Sequence, residues 1–211
     1  MDRIASDYLK WYHETNVWKQ VSYRGVRTLK LPSDMWNYQE IITAHDIGWV
    51  IETGSRHGGS AIYFADLLRN MGAEGKVFSI DYEPALDPRV LADDRIEFIR
   101  GDSAAPAIVA HVTARLPATR KGVFLILDSD HAAAHVRREL EIWIPRLRTG
   151  DYVLVEDTVV NGNPVRPDHG PGPLEAIRAY RAAHPGALVP DTAREAKFGA
   201  TFAPEGYYTV A

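Results

Sequence analysis

From Val50 onward, short apolar runs alternate with stretches in which apolar residues recur every three or four positions. The first kind reads as a buried strand and the second as an amphipathic helix, so the chain spells out βαβ units and a mostly parallel sheet covered by helices on both faces. The strand candidates are residues 49–52, 76–81, 95–100, 122–127 and 151–156. Between them, Ala61, Phe64, Ala65 and Leu68 share a helical face that ends at Gly72, and Val136, Leu140, Trp143 and Leu147 share another before Thr149-Gly150. A further helix is expected from Pro173 to about His184, and two weaker strands, 187–192 and 207–210, are expected to form an antiparallel edge. The first 48 residues carry Tyr8, Trp11, Tyr12, Trp18, Tyr23, Trp36 and Tyr38. They read as an N-terminal helical extension packed over the sheet edge of a domain spanning 49–211.

Composition removes several functional classes. A chain of 211 residues holds one domain with some decoration. Its 24 basic and 28 acidic side chains leave a net charge of −4, which offers no global attraction for nucleic acid or an anionic membrane surface. There is no cysteine, hence no disulfide framework, thiolate metal site or thiol nucleophile. Any metal must be held by carboxylates or histidines. The chain lacks an apolar run long enough to span a bilayer, and the expected location is the cytoplasm.

Four of the five strand candidates end on or run into an acidic residue, so carboxylates gather at one sheet edge. In an open parallel sheet that edge is where ligands bind, because loops and helix N-termini converge there. The loop after the first strand reads Glu52-Thr53-Gly54-Ser55-Arg56-His57-Gly58-Gly59-Ser60. A P-loop would need Lys where Ser60 stands, and a dinucleotide fingerprint would need Gly where Arg56 stands. The acidic-x-Gly-x-x-x-Gly turn of S-adenosylmethionine (SAM)-dependent methyltransferases fits without repair. Asp81, ending the second strand, is placed to accept hydrogen bonds from ribose hydroxyls, and Asp102 and Ser103 after the third strand to meet an adenine edge.

Asp128-Ser129-Asp130-His131 follows the fourth strand and Glu156-Asp157 the fifth. Both strands are apolar, and their adjacency brings the two acidic groups together. Carboxylate oxygens without thiolates suit a hard divalent cation, Mg2+ most naturally, which also relieves their mutual repulsion. His131, expected at the start of the next helix, is placed as a general base toward a metal-bound hydroxyl. The bland alternative is a helix cap. The proline-stiffened stretch 161–173 is too long for a simple connection and reads as a cover over substrate. Tyr23 or Trp36 are the aromatic candidates for lining an acceptor pocket.

Taken together, these residues resemble the SAM-dependent O-methyltransferases grouped with cephalosporin hydroxylase and the rhamnosyl O-methyltransferases. The matching stretches are Lys30-Leu31-Pro32-Ser33-Asp34 with Tyr38-Gln39-Glu40, Glu52-Thr53-Gly54 with Gly58-Gly59-Ser60-Ala61, Asp128 to His131, Glu156-Asp157-Thr158, and Asn161 to Val165 with Gly170 to Pro173. The resemblance implies a class I, Rossmann-like methyltransferase fold with a seven-stranded sheet. SAM is then held by Glu52, Thr53, Gly54, Gly58, Ser60, Asp81, Asp102, Ser103 and Asp128. It also implies Mg2+ on Asp128, Glu156 and Asp157, with Asp130 as the rival ligand, and His131 as the base. The partner it implies is a small hydroxylated acceptor, and it favours a homo-oligomer. The competing readings are a catalytically inactive SAM-binding module and a nicotinamide-dependent oxidoreductase.

Overall fold

The structure is a computed structural model that describes residues 3–211. In chain order its elements are α1 (Arg3–Glu14), the hairpin strands β1 (Ser22–Tyr23) and β2 (Val26–Arg27), α2 (Pro32–Ala44), β3 (Ile47–Thr53), α3 (Gly59–Asn70), β4 (Val77–Asp81), α4 (Pro88–Ala92), β5 (Ile96–Arg100), α5 (Pro106–Thr113), β6 (Gly122–Leu127), α6 (Ala133–Trp143), β7 (Tyr152–Val155), α7 (Pro173–Ala183), β8 (Leu188–Pro190), α8 (Thr192–Ala196) and β9 (Tyr207–Val210). The helices α2, α4, α5 and α7 each begin with proline, whose fixed φ suits the first turn and whose missing N–H is not needed there.

Seven strands form one sheet in the order β5-β4-β3-β6-β7-β9-β8. The pairs from β5 to β7 are parallel, and β9 runs antiparallel to β7 and β8. This is the expected sheet, including its antiparallel edge. The chain winds outward in opposite directions from β3 and β6, so the loops leaving those two strands diverge and open a crevice at their carboxyl ends.

Strand β6 shows why its run is continuously apolar. Phe124 and Ile126 enter one core with Ile41, Ile42 and Phe64, while Val123, Leu125 and Leu127 enter the other with Val109, Leu140, Trp143 and Ile177. Side chains alternate across a strand, so a strand covered on both faces needs apolar residues at every position.

The N-terminal segment is partly helical, and its α2 supplies Tyr38, Ile41 and Ile42 to the same core as Val50 and Phe64. The β1–β2 hairpin was not expected. Its two-residue strands are too short to leave a periodic pattern, and it turns on Arg24-Gly25, both at positive φ. A third, smaller core joins Leu9 and Tyr12 of α1 to Leu31, Val159, Val160, Val165 and Phe202. It pins the segment between β7 and α7, whose far end is held by Glu175: the Gly172 N–H donates to Oε2 at 2.7 Å and Asn161 Nδ2 to Oε1 at 3.2 Å. Among the described residues no helix is long and apolar enough to cross a membrane.

Among the buried acidic residues, one lies on a central strand of the main core. Glu52 is fully buried near the end of β3, its Oε1 has no hydrogen-bond partner, and burial raises its pKa to about 7 against the pull of Lys30.

Two outcomes follow for stability. Between about pH 4.5 and 7 the folded protein keeps a proton on Glu52 that the unfolded chain has released, so stability falls as pH rises through that window. Urea unfolding at pH 5 and pH 8 should show this loss, up to about 3 kcal/mol from Glu52, and Glu52→Gln should remove that share while leaving the one due to Asp34, which burial also raises to about 7; an equal loss in both proteins places the pH dependence elsewhere. Leu9→Ala, at a fully buried position, should lower the main unfolding transition by about 2–5 kcal/mol. A separate early transition with the main one unmoved would mean that α1 is not part of the cooperative unit.

Candidate active site

A cavity of about 790 Å³ opens at the carboxyl ends of β3, β4 and β6. Its floor is the loop after β3. Gly54 there has φ +86°, and a Cβ at that position would lie 1.9 Å from the carbonyl oxygen of Asp128, so only glycine lets these two strand-end loops touch. Gly58, at φ +82°, is pressed against Val90, where a Cβ would come within 2.3 Å of Cγ2. Of the expected SAM ligands, Gly54, Ser60, Asp81, Asp102, Ser103 and Asp128 line the cavity. Glu52, Thr53 and Gly58 do not. Thr53 acts from behind, its hydroxyl accepting the Asp128 N–H at 3.2 Å.

Asp81 is aimed by two backbone donors, the N–H groups of Arg56 (2.7 Å) and Glu83 (2.9 Å). A carboxylate has about four acceptor sites, so capacity for two ribose hydroxyls remains. At the far end, Ser103 donates to Glu139 Oε1 at 2.6 Å and lies 3.1 Å from His135 Nε2, while Ser129 donates to the same Glu139 oxygen at 2.8 Å. Glu139 is fully buried. Sequence reasoning passed over it, although a glutamate beside Val136, Leu140 and Trp143 on the apolar face of α6 was a readable signal.

The acidic groups after β6 and β7 do meet, in a way set by strand alternation. Asp128, His131 and Asp157 each bring one possible ligand atom within 4.8 Å of the others, and His131 Nε2 lies 3.2 Å from Asp157 Oδ2. Glu156 is not in that group. It continues the face of Leu154, toward α2 and α3, where it is buried and its Oε1 accepts from Lys30 Nζ at 2.9 Å and from the Tyr38 hydroxyl at 2.5 Å. Asp157, at φ +53°, turns instead to the cavity. Asp130 is exposed, and its Oδ1 accepts the Ala132 N–H in a local turn.

His131 lies before α6 rather than in its first turn. The helix opens on Ala132, whose side chain makes no cap, so the capping alternative for His131 has no structural counterpart.

Lys30 is the site residue that sequence reasoning did not single out. Its side chain is 5% exposed, and its ammonium lies 2.5 Å from Asp128 Oδ2 and 2.9 Å from Glu156 Oε1. Burial alone would lower its pKa, but Asp128, Glu156 and Glu52 outweigh it and hold the group well above the usual lysine value. Burial in turn raises Asp128, with Lys30 opposing. Beneath them Asp34 is buried and accepts from the Phe202 N–H (2.8 Å) and the Tyr207 hydroxyl (3.0 Å); burial raises its pKa to about 7.

The wall facing the strand ends comes from the third core. His13 and Trp18 stack with ring centroids 6.1 Å apart and planes 14° apart, and both line the cavity with Val160, Arg166 and Phe202. The two aromatics expected there are elsewhere. The Tyr23 hydroxyl donates to Asp66, and its ring packs edge-on against Tyr63; Trp36 is exposed on α2.

With this geometry in hand, comparison with known proteins is direct. The family model for rhamnosyl O-methyltransferase/CmcI matches residues 15–210. The rhamnosyl O-methyltransferase of Mycobacterium tuberculosis is 45% identical over 208 residues, covering 98% of this chain and 84% of the relative. That of Mycobacterium leprae is 46% identical, covering 98% and 90%. Among solved structures, a CmcI structure with Mg and SAM superposes with a TM-score of 0.66 at 22% identity over 92% of this chain and 77% of that one. A putative caffeoyl-CoA O-methyltransferase from Staphylococcus aureus gives 0.59 at 14% identity over 89% and 86%. These structural likenesses show the fold. The near-complete family match and the relatives at 45% and 46% identity establish that the chain belongs to the rhamnosyl O-methyltransferase/CmcI family.

Proposed function

We propose that the protein transfers a methyl group from SAM to a hydroxyl of a rhamnosyl or closely related glycoside, in a reaction supported by Mg2+. The observation that carries this reading is a single cavity in which nucleoside-type contacts (Gly54, Ser60, Asp81, Ser103) adjoin the Asp128–His131–Asp157 group. Membership of the family supports the O-methyltransferase chemistry, and the curated relatives, named for a rhamnosyl acceptor, support the substrate class. The nicotinamide alternative lacks the glycine at position 56 that a dinucleotide would need.

The acidic pair fits a divalent ion: the carboxylates of Asp128 and Asp157 converge on one cavity wall with His131 beside them, and such oxygen donors bind hard cations. Asp128 and Asp157 would hold the ion. Glu156 has Oε1 engaged by Lys30 and Tyr38, so its second oxygen is the atom left to offer. When bound, the ion supplies acidification of the acceptor hydroxyl.

The chain's own residues do the rest. Asp81 fixes the ribose, and the loop over Gly54 admits the methionine portion close to Asp128. The His13–Trp18 face and Arg166 enclose the acceptor against the methyl group and exclude water. His131 takes the hydroxyl proton, and Asp157, whose Oδ2 lies 3.2 Å from Nε2, stabilises the resulting imidazolium. The acceptor oxygen forms its bond to the methyl carbon as the carbon–sulfur bond breaks, leaving S-adenosylhomocysteine and the methyl ether.

The purified protein should methylate methyl α-L-rhamnoside or a rhamnosylated phenol when given SAM and Mg2+, as followed by transfer of labelled methyl. EDTA should abolish turnover while leaving much of the SAM affinity intact; full turnover after exhaustive chelation would falsify the role of the metal. Asp81→Ala, losing charge-assisted bonds worth about 1.5–3 kcal/mol each, should weaken SAM binding at least about tenfold by calorimetry. His131→Ala should bind SAM and lose at least about a hundredfold in kcat. Turnover within a few-fold of wild type would assign proton removal elsewhere. SAM binding with no transfer to any hydroxylated acceptor would favour the inactive binding module.

A further inference from the structure

Three strand-end carboxylates point to the same side of the sheet. Glu52 follows Val50 on β3, Asp128 follows Ile126 beyond β6, and Glu156 follows Leu154 beyond β7; all three apolar residues belong to the core under α2 and α3. Side chains two apart on a strand share a face, so the carboxylates converge there. Their common neighbour is the ammonium of Lys30, in direct contact with Asp128 and Glu156. It reaches them from the segment between the hairpin and α2, and it does not line the cavity. Asp128 is therefore shared: Lys30 binds it from behind, and the cavity with Asp157 and His131 lies in front.

We propose that Lys30 is the resident cation of this site, which neutralises the strand-end carboxylates when no divalent ion is bound and, by competing for the same charge, keeps a bound ion exchangeable. The inference rests on the metal reading given under Proposed function. Its physical basis is that like charges gathered in a low-dielectric site repel strongly, and that an uncompensated buried charge is far more costly than a paired one. Lys30 supplies one positive charge permanently, so the carboxylates keep their arrangement in the metal-free protein. That charge then lies beside the position of any ion between Asp128 and Asp157 and repels it. Were the acceptor hydroxyl held through that ion, an exchangeable ion would favour release of the methylated product.

The test uses the full chain, Mg2+ alone as the probe, and two readouts besides turnover: affinity by calorimetry and thermal stability with and without the ion. Lys30→Met keeps the aliphatic stem and removes the charge. It should bind Mg2+ at least about tenfold more tightly than wild type. Its metal-free melting temperature should fall, and saturating Mg2+ should return it to within a few degrees of the wild-type value. Should the variant fold only with metal, it is purified in Mg2+ and unfolded after chelation, which is the extreme form of the same result. Lys30→Met combined with Glu156→Gln removes one anion along with the cation, and its metal-free melting temperature should recover relative to the single variant. Unchanged or weaker Mg2+ affinity in Lys30→Met overturns the inference, as does a stability loss restored neither by Mg2+ nor by Glu156→Gln. Failure of wild type and variant alike to bind Mg2+ overturns the metal reading itself, and with it the proposed competition.

Discussion

The arrangement depends on one electrostatic constraint: acidic side chains at the ends of buried strands must coexist within a few ångströms. Strand ends in a doubly covered sheet are dry, and carboxylates placed there repel one another unless a cation or a proton intervenes. The protein uses both remedies. Lys30 bridges Asp128 and Glu156, while burial raises Glu52 and Asp34 to about 7 so that they hold protons into the neutral range. Tyr38 and Tyr207 add hydroxyl donors to the same network. This supported layer lies behind the cavity, and the carboxylates that face the cavity, Asp128 and Asp157, stand on it.

Part of the backbone strain lies at the same place. Leu29, Asp157, Asn161 and Arg166 all adopt left-handed φ without being glycine, and three of them line the cavity. Such conformations cost of order 1–3 kcal/mol each and persist only where surrounding packing enforces them. Here the enforcement comes from the third core, in which Leu31, Val160 and Val165 flank the strained residues and tie them to α1. The strain has identifiable uses. It sends Asp157 toward the cavity while Glu156 stays on the core side, and it brings Arg166 to the cavity wall opposite the strand ends.

The two sides of the cavity are built from different parts of the chain. Loops after β3, β4 and β5 supply the first, and each lies within one βα unit. The second takes Trp18 and His13 from the N-terminus, Arg166 from the β7–α7 segment and Phe202 from the stretch before β9. Under the proposed function, substitutions on the second side would change the hydroxyl compound admitted without disturbing the nucleoside contacts, because the two sets share only the carboxylates between them.

Much of this was legible in the sequence because it is local. Apolar runs covered on both faces identified β3, β4, β6 and β7, Pro173 marked a helix start, and acids at strand ends located the edge where the cavity opens, since each signal is carried by residues a few positions apart. Asp81 and Gly54 could be placed at this edge on that basis alone, and both line the cavity. What tertiary structure decided lies in contacts between distant segments. Lys30 meets Asp128 across 98 positions and Glu156 across 126, and nothing near Lys30 in the chain announces a buried ammonium. The division of labour between Glu156 and Asp157 depends on which face of β7 is continued and on one left-handed residue, and the aromatic wall depends on how α1 docks. Periodicity reports which face of an element is buried; only packing of the whole chain reports against what, and for a charged group the identity of that neighbour determines whether it holds a ligand or holds the protein together.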